Sequence, residues 1–237
     1  MSLNRECFLA IDSACSILSI ALSCGDDIHY IETDGSHKQS EIVMELIDSQ
    51  IKKAGLQPKD ISCVLCMGGP GSFTGLRIGY SIAKGLALSL SIPFRPIPTL
   101  DCISLNHTQE NDSIVIPIIE SGKNAYYYTF FQNNQRLAEV KNGDFLKIKD
   151  EILIYLKNKD KKIIITGPGS SIFFNSLPEE LKKVIFLSYT QKGYARELIT
   201  IAKNYEILDN DYTLFLTSGP EYIRQTDAEA GLARRCK

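Results

Sequence analysis

Basic residues are not in excess in this 237-residue sequence, because 26 lysines and arginines stand against 28 aspartates and glutamates, for a formal net charge of −2. A protein that holds nucleic acid by itself usually carries a basic excess or a basic stripe. Tight, direct nucleic-acid binding by this chain alone is therefore not expected. The lysines at 157–162 are interrupted by Asp160. A solvated loop explains them, and contact with RNA is the alternative.

The sequence also lacks a long apolar run. None approaches the ~18 residues that a membrane helix needs. The apolar stretch 8–24 contains Asp12, a carboxylate that a secretory signal would not carry. Hydrophobic residues make up 44% of the chain and charged residues 23%, which is ordinary for a globular protein. We expect a cytoplasmic protein.

Metal-binding patterns are missing as well. Cys63 and Cys66 form the one C-x-x-C, within a predicted strand where positions three apart point to opposite faces. No second cysteine or histidine pair completes a zinc set. The seven cysteines are an odd number and several lie in apolar runs, so we expect buried thiols in a reducing compartment rather than disulfides. Metal spacing is equally absent around the three histidines, His29, His37 and His107.

What is present is the pattern of an α/β protein. Ser36 and Gln39 stand in capping-box spacing before a predicted helix that Gly55 ends. In the first half, strands are expected at 8–12, 17–23, 28–34, 61–67 and 94–98, and helices at 40–54, from the glycine-rich loop 68–75 to about 90, and at 100–106.

The second half repeats this order. It predicts strands at 114–120, 125–132, 135–141 and 162–166, with a helix at 149–157. The residues Gly167-Pro168-Gly169-Ser170 then repeat Gly69-Pro70-Gly71-Ser72 letter for letter. The repeat indicates an internal duplication. We predict two tandem ribonuclease H-like lobes, at 1–108 and 109–237, in the architecture that actin, Hsp70 and sugar kinases (the ASKHA group) share, which by itself carries no function.

The loop 68–75 holds four glycines between a strand and a helix, with Ser72 and Thr74 as hydroxyl donors. Glycine allows close backbone approach, and free N–H groups at a helix start favour an anion. The loop is not a P-loop, because the Gly-Lys-Ser/Thr ending is missing. A tight turn packed against the neighbouring lobe explains the glycines equally well. The candidate nucleotide or anion loop comprises Asp12, Ser13, Gly71, Ser72, Thr74 and Arg77.

Carboxylates end the first strand of each half, as Asp12 and its proposed counterpart Glu120. Such a pair could serve metal-assisted phosphoryl transfer. Against that, Glu120 is followed by Ser121-Gly122-Lys123, without the glycine run that would clear space for phosphates. Carboxylates at strand ends are also commonly caps.

The helix after the loop carries small residues every four positions: Gly75, Gly79, Ala83 and Ala87. They share one helix face. Glycine inside a helix costs about 1 kcal/mol relative to alanine, so another backbone is expected to pack closely there. That neighbour is either the protein's own sheet or a partner's helix.

Several segments together resemble the TsaB family, also called YeaZ. They are LAIDS at 9–13, GPGSFTGLRIG at 69–79, AKGLAL at 83–88, Thr99-Leu100 and PEYIR at 220–224. The resemblance is strong over about 7–105 and thin over 125–215. It implies a two-lobed actin-like fold and a role in forming threonylcarbamoyladenosine (t6A) at position 37 of tRNA.

The resemblance also implies partners. Members bind the paralogous catalytic subunit TsaD, and often themselves as homodimers, through the two helices of the first lobe, and the ATPase TsaE joins. The implied interface comprises Ile42, Met44, Ile47, Gly75, Leu76, Gly79 and Ala83, and Gly79→Leu is expected to weaken pairing without unfolding the chain. tRNA is met only through the complex. No cofactor is expected to bind tightly, with ATP or ADP expected at the partner interface.

The catalytic paralogue has a His-x-x-x-His metal pair whose positions here are Thr99 and Ile103. Without a metal, the transfer lacks its Lewis acid, so we expect an accessory subunit and not an enzyme. A metalloprotease is discounted for the same reason. The alternative is an independent ATP-binding phosphotransferase of the sugar-kinase type, with 167–170 as its second-lobe loop.

Overall fold

The computed structural model describes residues 6–34, 39–107, 113–122, 124–158, 161–204 and 219–223. The predicted cap Ser36, and also Lys123, Arg224 and the tail, lie outside these residues. The first-lobe elements are β1 (Cys7–Asp12), β2 (Ile17–Cys24), β3 (Asp27–Asp34), α1 (Gln39–Lys53), β4 (Cys63–Gly69), α2 (Phe73–Leu90), β5 (Phe94–Pro98) and α3 (Thr99–Ser104). The five strands form one sheet in the order β3-β2-β1-β4-β5, with β4 and β5 parallel to β1.

The second lobe comprises β6 (Ile114–Gly122), β7 (Ala125–Tyr128), β8 (Phe131–Gln132), β9 (Gln135–Arg136), β10 (Lys141–Asp144), α4 (Phe145–Asn158), β11 (Ile163–Thr166), α5 (Ser170–Asn175), α6 (Glu179–Lys182), β12 (Ile185–Ser188) and α7 (Ala195–Asn204). Its strand order, β10-β7-β6-β11-β12, repeats the topology of the first lobe. The predicted fold class is therefore confirmed, and the internal duplication stays a prediction that this shared topology favours.

The strand expected at 125–132 is divided into β7 and β8, although both pair with β6 in one register. That register places Pro117 of β6 level with Thr129, between the two pieces. Because proline has no N–H, it cannot donate to the ladder at that point. The strand expected at 135–141 is likewise divided, into β9 and β10. Helix α4 begins at Phe145, four residues earlier than predicted.

Buried apolar residues form three layers on the faces of the two sheets. In β1, Leu9 and Ile11 face the layer under α1 and α2, whereas Phe8 and Ala10 face the layer between the lobes, as the strand period of two requires. A third layer lies between the second sheet and helices α4 and α5. The middle layer joins residues of both sheets with those of α3 and α7, so the lobes share one core.

The last helix of each lobe packs against the sheet of the other lobe. Helix α3 follows the first sheet but also packs on β6, and α7 follows the second sheet but packs on β1, β2 and β4. The segment 219–223 also returns to the first lobe, where the Glu221 N–H donates to the Gly68 carbonyl at 2.8 Å. The predicted second lobe, 109–237, therefore contains segments that belong to the packing of the first.

Side chains of the first lobe hold the start of α7. Asp12 Oδ2 accepts from the Tyr194 N–H at 2.7 Å, and Ser19 Oγ accepts from the Ala195 N–H at 3.1 Å. Glu32 Oε2 accepts from the Gly193 N–H at 2.9 Å. The first N–H groups of a helix have no partner within the helix, so these contacts satisfy them and tie the lobes together.

One expectation about cysteine is corrected. Cys7 and Cys24 face each other across the β1–β2 ladder, with Cα atoms 4.2 Å apart, and are joined by a disulfide. Four others, Cys15, Cys63, Cys66 and Cys102, are free thiols, and the last three are buried. Among the described helices, none has both the length and the apolar character to cross a membrane.

Candidate functional site

A cleft of ≈ 960 Å³ opens between the lobes at the glycine loop. Its first-lobe wall includes Ser16, Ser40 and the loop, and its second-lobe wall includes Glu120 and Tyr127. The segment 189–192 closes one side. The walls are mostly hydroxyl, amide and aromatic groups, which suits a neutral or weakly charged ligand better than a polyphosphate.

Close packing explains the glycines of the loop. A Cβ atom on Gly69, which has φ of +106°, would lie 2.6 Å from the Glu221 carbonyl oxygen, and one on Gly71 would lie 2.6 Å from that of Ala14. Ser72 caps α2 by accepting from the Gly75 N–H at 3.2 Å, and its own N–H donates to the Ala14 carbonyl at 2.7 Å. The geometry favours the packed turn over a phosphate cradle.

Of the six predicted nucleotide or anion residues, Gly71, Ser72 and Thr74 line the cleft. Arg77 is exposed outside it: its Nε donates to the Tyr222 hydroxyl at 3.2 Å, and its guanidinium lies 3.9 Å from the centre of the Phe73 ring. Anion binding by the three cleft residues stays a prediction.

Asp12 and Ser13, the other two, are buried. Burial raises the pKa of Asp12 to about 6, although the Tyr194 and Ala14 N–H groups stabilise its charged form. Ser13 Oγ donates to the Gly75 carbonyl at 2.8 Å. Both side chains therefore hold the chain together rather than face a ligand, and the proposed role of Asp12 near phosphate is corrected.

The pairing of Asp12 with Glu120 as counterparts is also corrected. Continuing the β1–β4 register places Asp12 level with Met67, two residues before the first Gly-Pro-Gly-Ser. In the second lobe, Ile165 holds the matching place and pairs with Ile116. The counterpart of Asp12 is thus Ile116, whereas Glu120 lies four residues further along β6 and lines the cleft.

The residues predicted to form the partner interface fall into two groups, one at the surface and one buried. Met44 is 48% exposed and Ile42 is half-buried, both on α1. Five residues are buried within the lobe itself: Ile47, Gly75, Leu76, Gly79 and Ala83. A Cβ on Gly79 would lie 2.6 Å from Ser13 Oγ. The structure thus places the small-residue face against the protein's own first lobe, and a partner can meet only the outer face of these helices.

Sequence reasoning missed the glycine at the centre of that outer face. Gly85 is exposed, and a Cβ built on it would meet nothing within 4 Å. It lies seven residues after Ile78 and three after Ile82, so these half-buried residues share its face. On α1, Met44 is flanked by an exposed acidic row of Glu41, Glu45 and Asp48. Gly85 belongs to the AKGLAL segment, which the sequence analysis singled out. The interpretation there followed the small residues that recur every four positions, and these lie on the opposite face of the helix.

The segment 219–223 covers the start of α2. Tyr222 packs on Phe73 with ring centres 5.0 Å apart, and it lines both the cleft and a smaller groove beside Arg77 and Lys84. Thr99 and Ile103, at the positions of the paralogue's metal pair, are fully buried between the lobes. Among the described residues, no group of three or more histidine, cysteine, aspartate or glutamate side chains is placed to hold a metal ion.

Fold and cleft together define a two-lobed α/β protein of the actin-like class. A family model described as "TsaD: tRNA N6-adenosine threonylcarbamoyltransferase" matches residues 33–208. The chain belongs to this threonylcarbamoyltransferase family, in its TsaB (YeaZ) branch.

Its relatives support that placement. The chain is 29% identical to the tRNA threonylcarbamoyladenosine biosynthesis protein TsaB of Bacillus subtilis, over 94% of this chain and 96% of the relative. It is 28% identical to a tRNA N6-adenosine threonylcarbamoyltransferase of Christiangramia forsetii, over 49% of this chain and 39% of that one. A solved Pseudomonas aeruginosa protein with similarity to peptidase YEAZ matches with a TM-score of 0.75 at 16% identity, covering 92% and 100% of the two chains. This last likeness concerns the fold.

Proposed function

We propose that this chain is an accessory subunit in the formation of t6A on tRNA and that it binds and activates a TsaD-type catalytic subunit. The observation that carries the proposal is its similarity, over nearly the whole chain, to a protein named for t6A biosynthesis. Its membership of the same family as the transferase supports a paralogous partner, because related lobes can pair through equivalent helices.

The partner binds the outer face of α1 and α2 in this proposal. Gly85 supports it, because a glycine in an exposed helix interior costs about 1 kcal/mol relative to alanine and nothing within the lobe requires it. A second helix that approaches the backbone at Gly85 would supply the reason. Half-buried Ile42, Ile78 and Ile82 offer the apolar contact around it. A second copy of this chain competes for the same face, and the TsaE-type ATPase joins the assembled pair.

The positions of the buried polar groups support a non-catalytic role. Asp12 is engaged by the start of α7, and Thr99 and Ile103 lie in the core rather than in the cleft. Lys192 is the one lysine that lines the cleft among the described residues, and its Nζ is paired with Glu197 Oε1 at 2.5 Å. No nucleotide binds this chain tightly in our proposal, and ATP or ADP binds where the partner completes the site.

An omission assay tests this function. Unmodified tRNA, ATP and an activated threonylcarbamoyl donor are incubated with this chain alone, with its TsaD- and TsaE-type partners alone, and with all three. We expect t6A in the complete mixture only. t6A formed by this chain alone would instead make it an enzyme and its cleft an active site. ATP turnover by this chain alone would support the sugar-kinase-type alternative.

A further inference from the structure

Five lysines gather at one edge of the second sheet, where β11 and β12 begin. Lys161 and Lys162 immediately precede β11, and Lys182 and Lys183 lie just before β12. The parallel pairing of Ile163 with Ile185, on strands about 4.8 Å apart, brings the segments that lead into the two strands close together. The fifth, Lys157, lies in the last turn of α4, whose chain returns to β11. We call these five residues the basic edge.

The basic edge is accessible. Lys157, Lys162 and Lys183 are exposed, and Lys161 and Lys182 are half-buried. The Lys182 ammonium is paired with Glu179 at 2.9 Å, so its charge is partly compensated. Phe186 is 51% exposed beside them, with Lys162 Nζ 4.6 Å from its ring centre. An exposed aromatic ring next to converging cations is the combination that nucleic-acid surfaces use.

The fold itself does not require these lysines. In the first lobe, which has the same topology, β4 and β5 are preceded by Asp60-Ile61-Ser62 and by 91–93, which reads Ser-Ile-Pro. The segments that directly precede β4 and β5 therefore carry no lysine, although the last turn of α1 carries Lys52 and Lys53 where α4 carries Lys157. Because the two lobes share their strand order but differ just before these strands, the lysines at 161–162 and 182–183 reflect something other than the packing of the sheet.

We propose that the basic edge contacts the phosphate backbone of RNA and that Phe186 offers a surface on which an unpaired base stacks. Lysine ammonium groups bind phosphates without reading sequence, so this contact orients the RNA rather than selects it. The identity of the RNA as tRNA rests on the function proposed above. With a net charge of −2, the chain as a whole repels a polyanion, so the contact is local and gains its full effect in the complex.

Salt-dependent binding tests the contact directly. A labelled, unmodified tRNA transcript is titrated with the full chain by fluorescence anisotropy over a series of NaCl concentrations. The variant K157Q/K162Q/K183Q is compared with K52Q/K53Q/K59Q, which removes three exposed lysines from the first lobe. Each lost phosphate contact lowers the slope of log K against log salt by about 0.7–0.9, so we expect the first variant to lose about 2 units of slope and the control to lose much less.

Phe186→Ala separates stacking from charge. We expect it to weaken binding of a single-stranded oligonucleotide severalfold with the salt slope unchanged. Equal slopes and affinities for both triple variants would overturn the proposal. The proposal would also be overturned if the chain without substitutions does not bind tRNA measurably and the K157Q/K162Q/K183Q variant leaves the KM for tRNA unchanged in the complex with the catalytic subunit.

The outcome is distinguishable from that of the proposed function. If the basic edge is right, the K157Q/K162Q/K183Q complex shows a raised KM for tRNA at a similar kcat. A chain that binds RNA through the edge yet supports no t6A formation would refute the function and keep the edge. A triple variant that loses the catalytic subunit in sedimentation, while its RNA binding is unchanged, would identify the edge as a protein-binding surface and overturn the proposal.

Discussion

Replacing Gly85 with leucine tests the outer face of α2 as the surface where the partner binds. Because nothing lies within 4 Å of a Cβ at this position, the chain itself can accept the side chain. Leucine is also the better helix former, so we expect the free energy of unfolding to rise by about 0.5–1 kcal/mol. We expect the same substitution to weaken association with the partner, so that the chain becomes more stable while its affinity for the partner falls.

The loss of association follows from the same side chain. If a partner helix packs against the Gly85 backbone, leucine overfills the contact at a cost of about 1–3 kcal/mol. That corresponds to an increase in Kd of about 5- to 150-fold. Sedimentation velocity with the TsaD-type subunit measures it, and urea unfolding of the isolated chain measures stability. Thr200→Leu, at an exposed position of α7, serves as the matched control.

An unchanged Kd for the Gly85→Leu chain would refute the assignment of this face. Gly79→Leu gives the contrasting result, because its Cβ would lie 2.6 Å from Ser13 Oγ. The expectation that Gly79→Leu leaves the fold intact is therefore replaced: we now expect loss of stability before any effect on pairing.

Three further predictions concern the cleft and the joint between the lobes. The pKa of Asp12 is about 6 in the folded chain, against an ordinary value of 3.8, so the stability that its buried, protonated form contributes is full below pH 3.8 and is lost as the pH rises through 6. Relative to Asp12→Asn, the free energy of unfolding measured with urea should fall by about 3 kcal/mol between pH 3.5 and 7. A difference between the two chains that does not depend on pH would contradict the burial argument. Gly71→Ala should cost about 1–3 kcal/mol because its Cβ would meet the Ala14 carbonyl, whereas Thr74→Ala should change stability little; equal thermal midpoints for the two variants would argue against the packed turn. Tyr222→Ala removes a ring contact worth about 0.5–1.5 kcal/mol, so limited proteolysis should cut the chain near 219–223 faster than in Tyr189→Ala, and equal cleavage rates would show that this contact does not hold the segment.

Much of the fold could be predicted because short segments of sequence are enough to indicate its strands, helices and turns. The alternation in β2, the apolar strands β4 and β6 and the repeated Gly-Pro-Gly-Ser indicate the duplicated lobe without reference to distant residues. The Asn133–Asn134 turn is also local, since asparagine tolerates the positive φ of 49° and 62° found there.

The rest depends on contacts between residues that are far apart in the chain. Asp12 accepts from Tyr194, 182 residues away, and nothing near Asp12 indicates that its partner is a helix start of the other lobe. The small-residue face of α2 predicts close packing correctly, but a local pattern does not say which backbone comes close. Gly85 was overlooked for the same reason, because its significance depends on the absence of a neighbour.

The most direct test of the central claim is a titration of this chain into a fixed amount of the TsaD- and TsaE-type partners while the initial rate of t6A formation on tRNA is measured. We predict that the rate rises from its baseline and saturates at a stoichiometric ratio to the catalytic subunit, and that the Gly85→Leu chain requires a higher concentration to reach the same plateau. A rate that does not depend on this chain, or that continues to rise in proportion to it well beyond that ratio, would contradict the role of an accessory subunit.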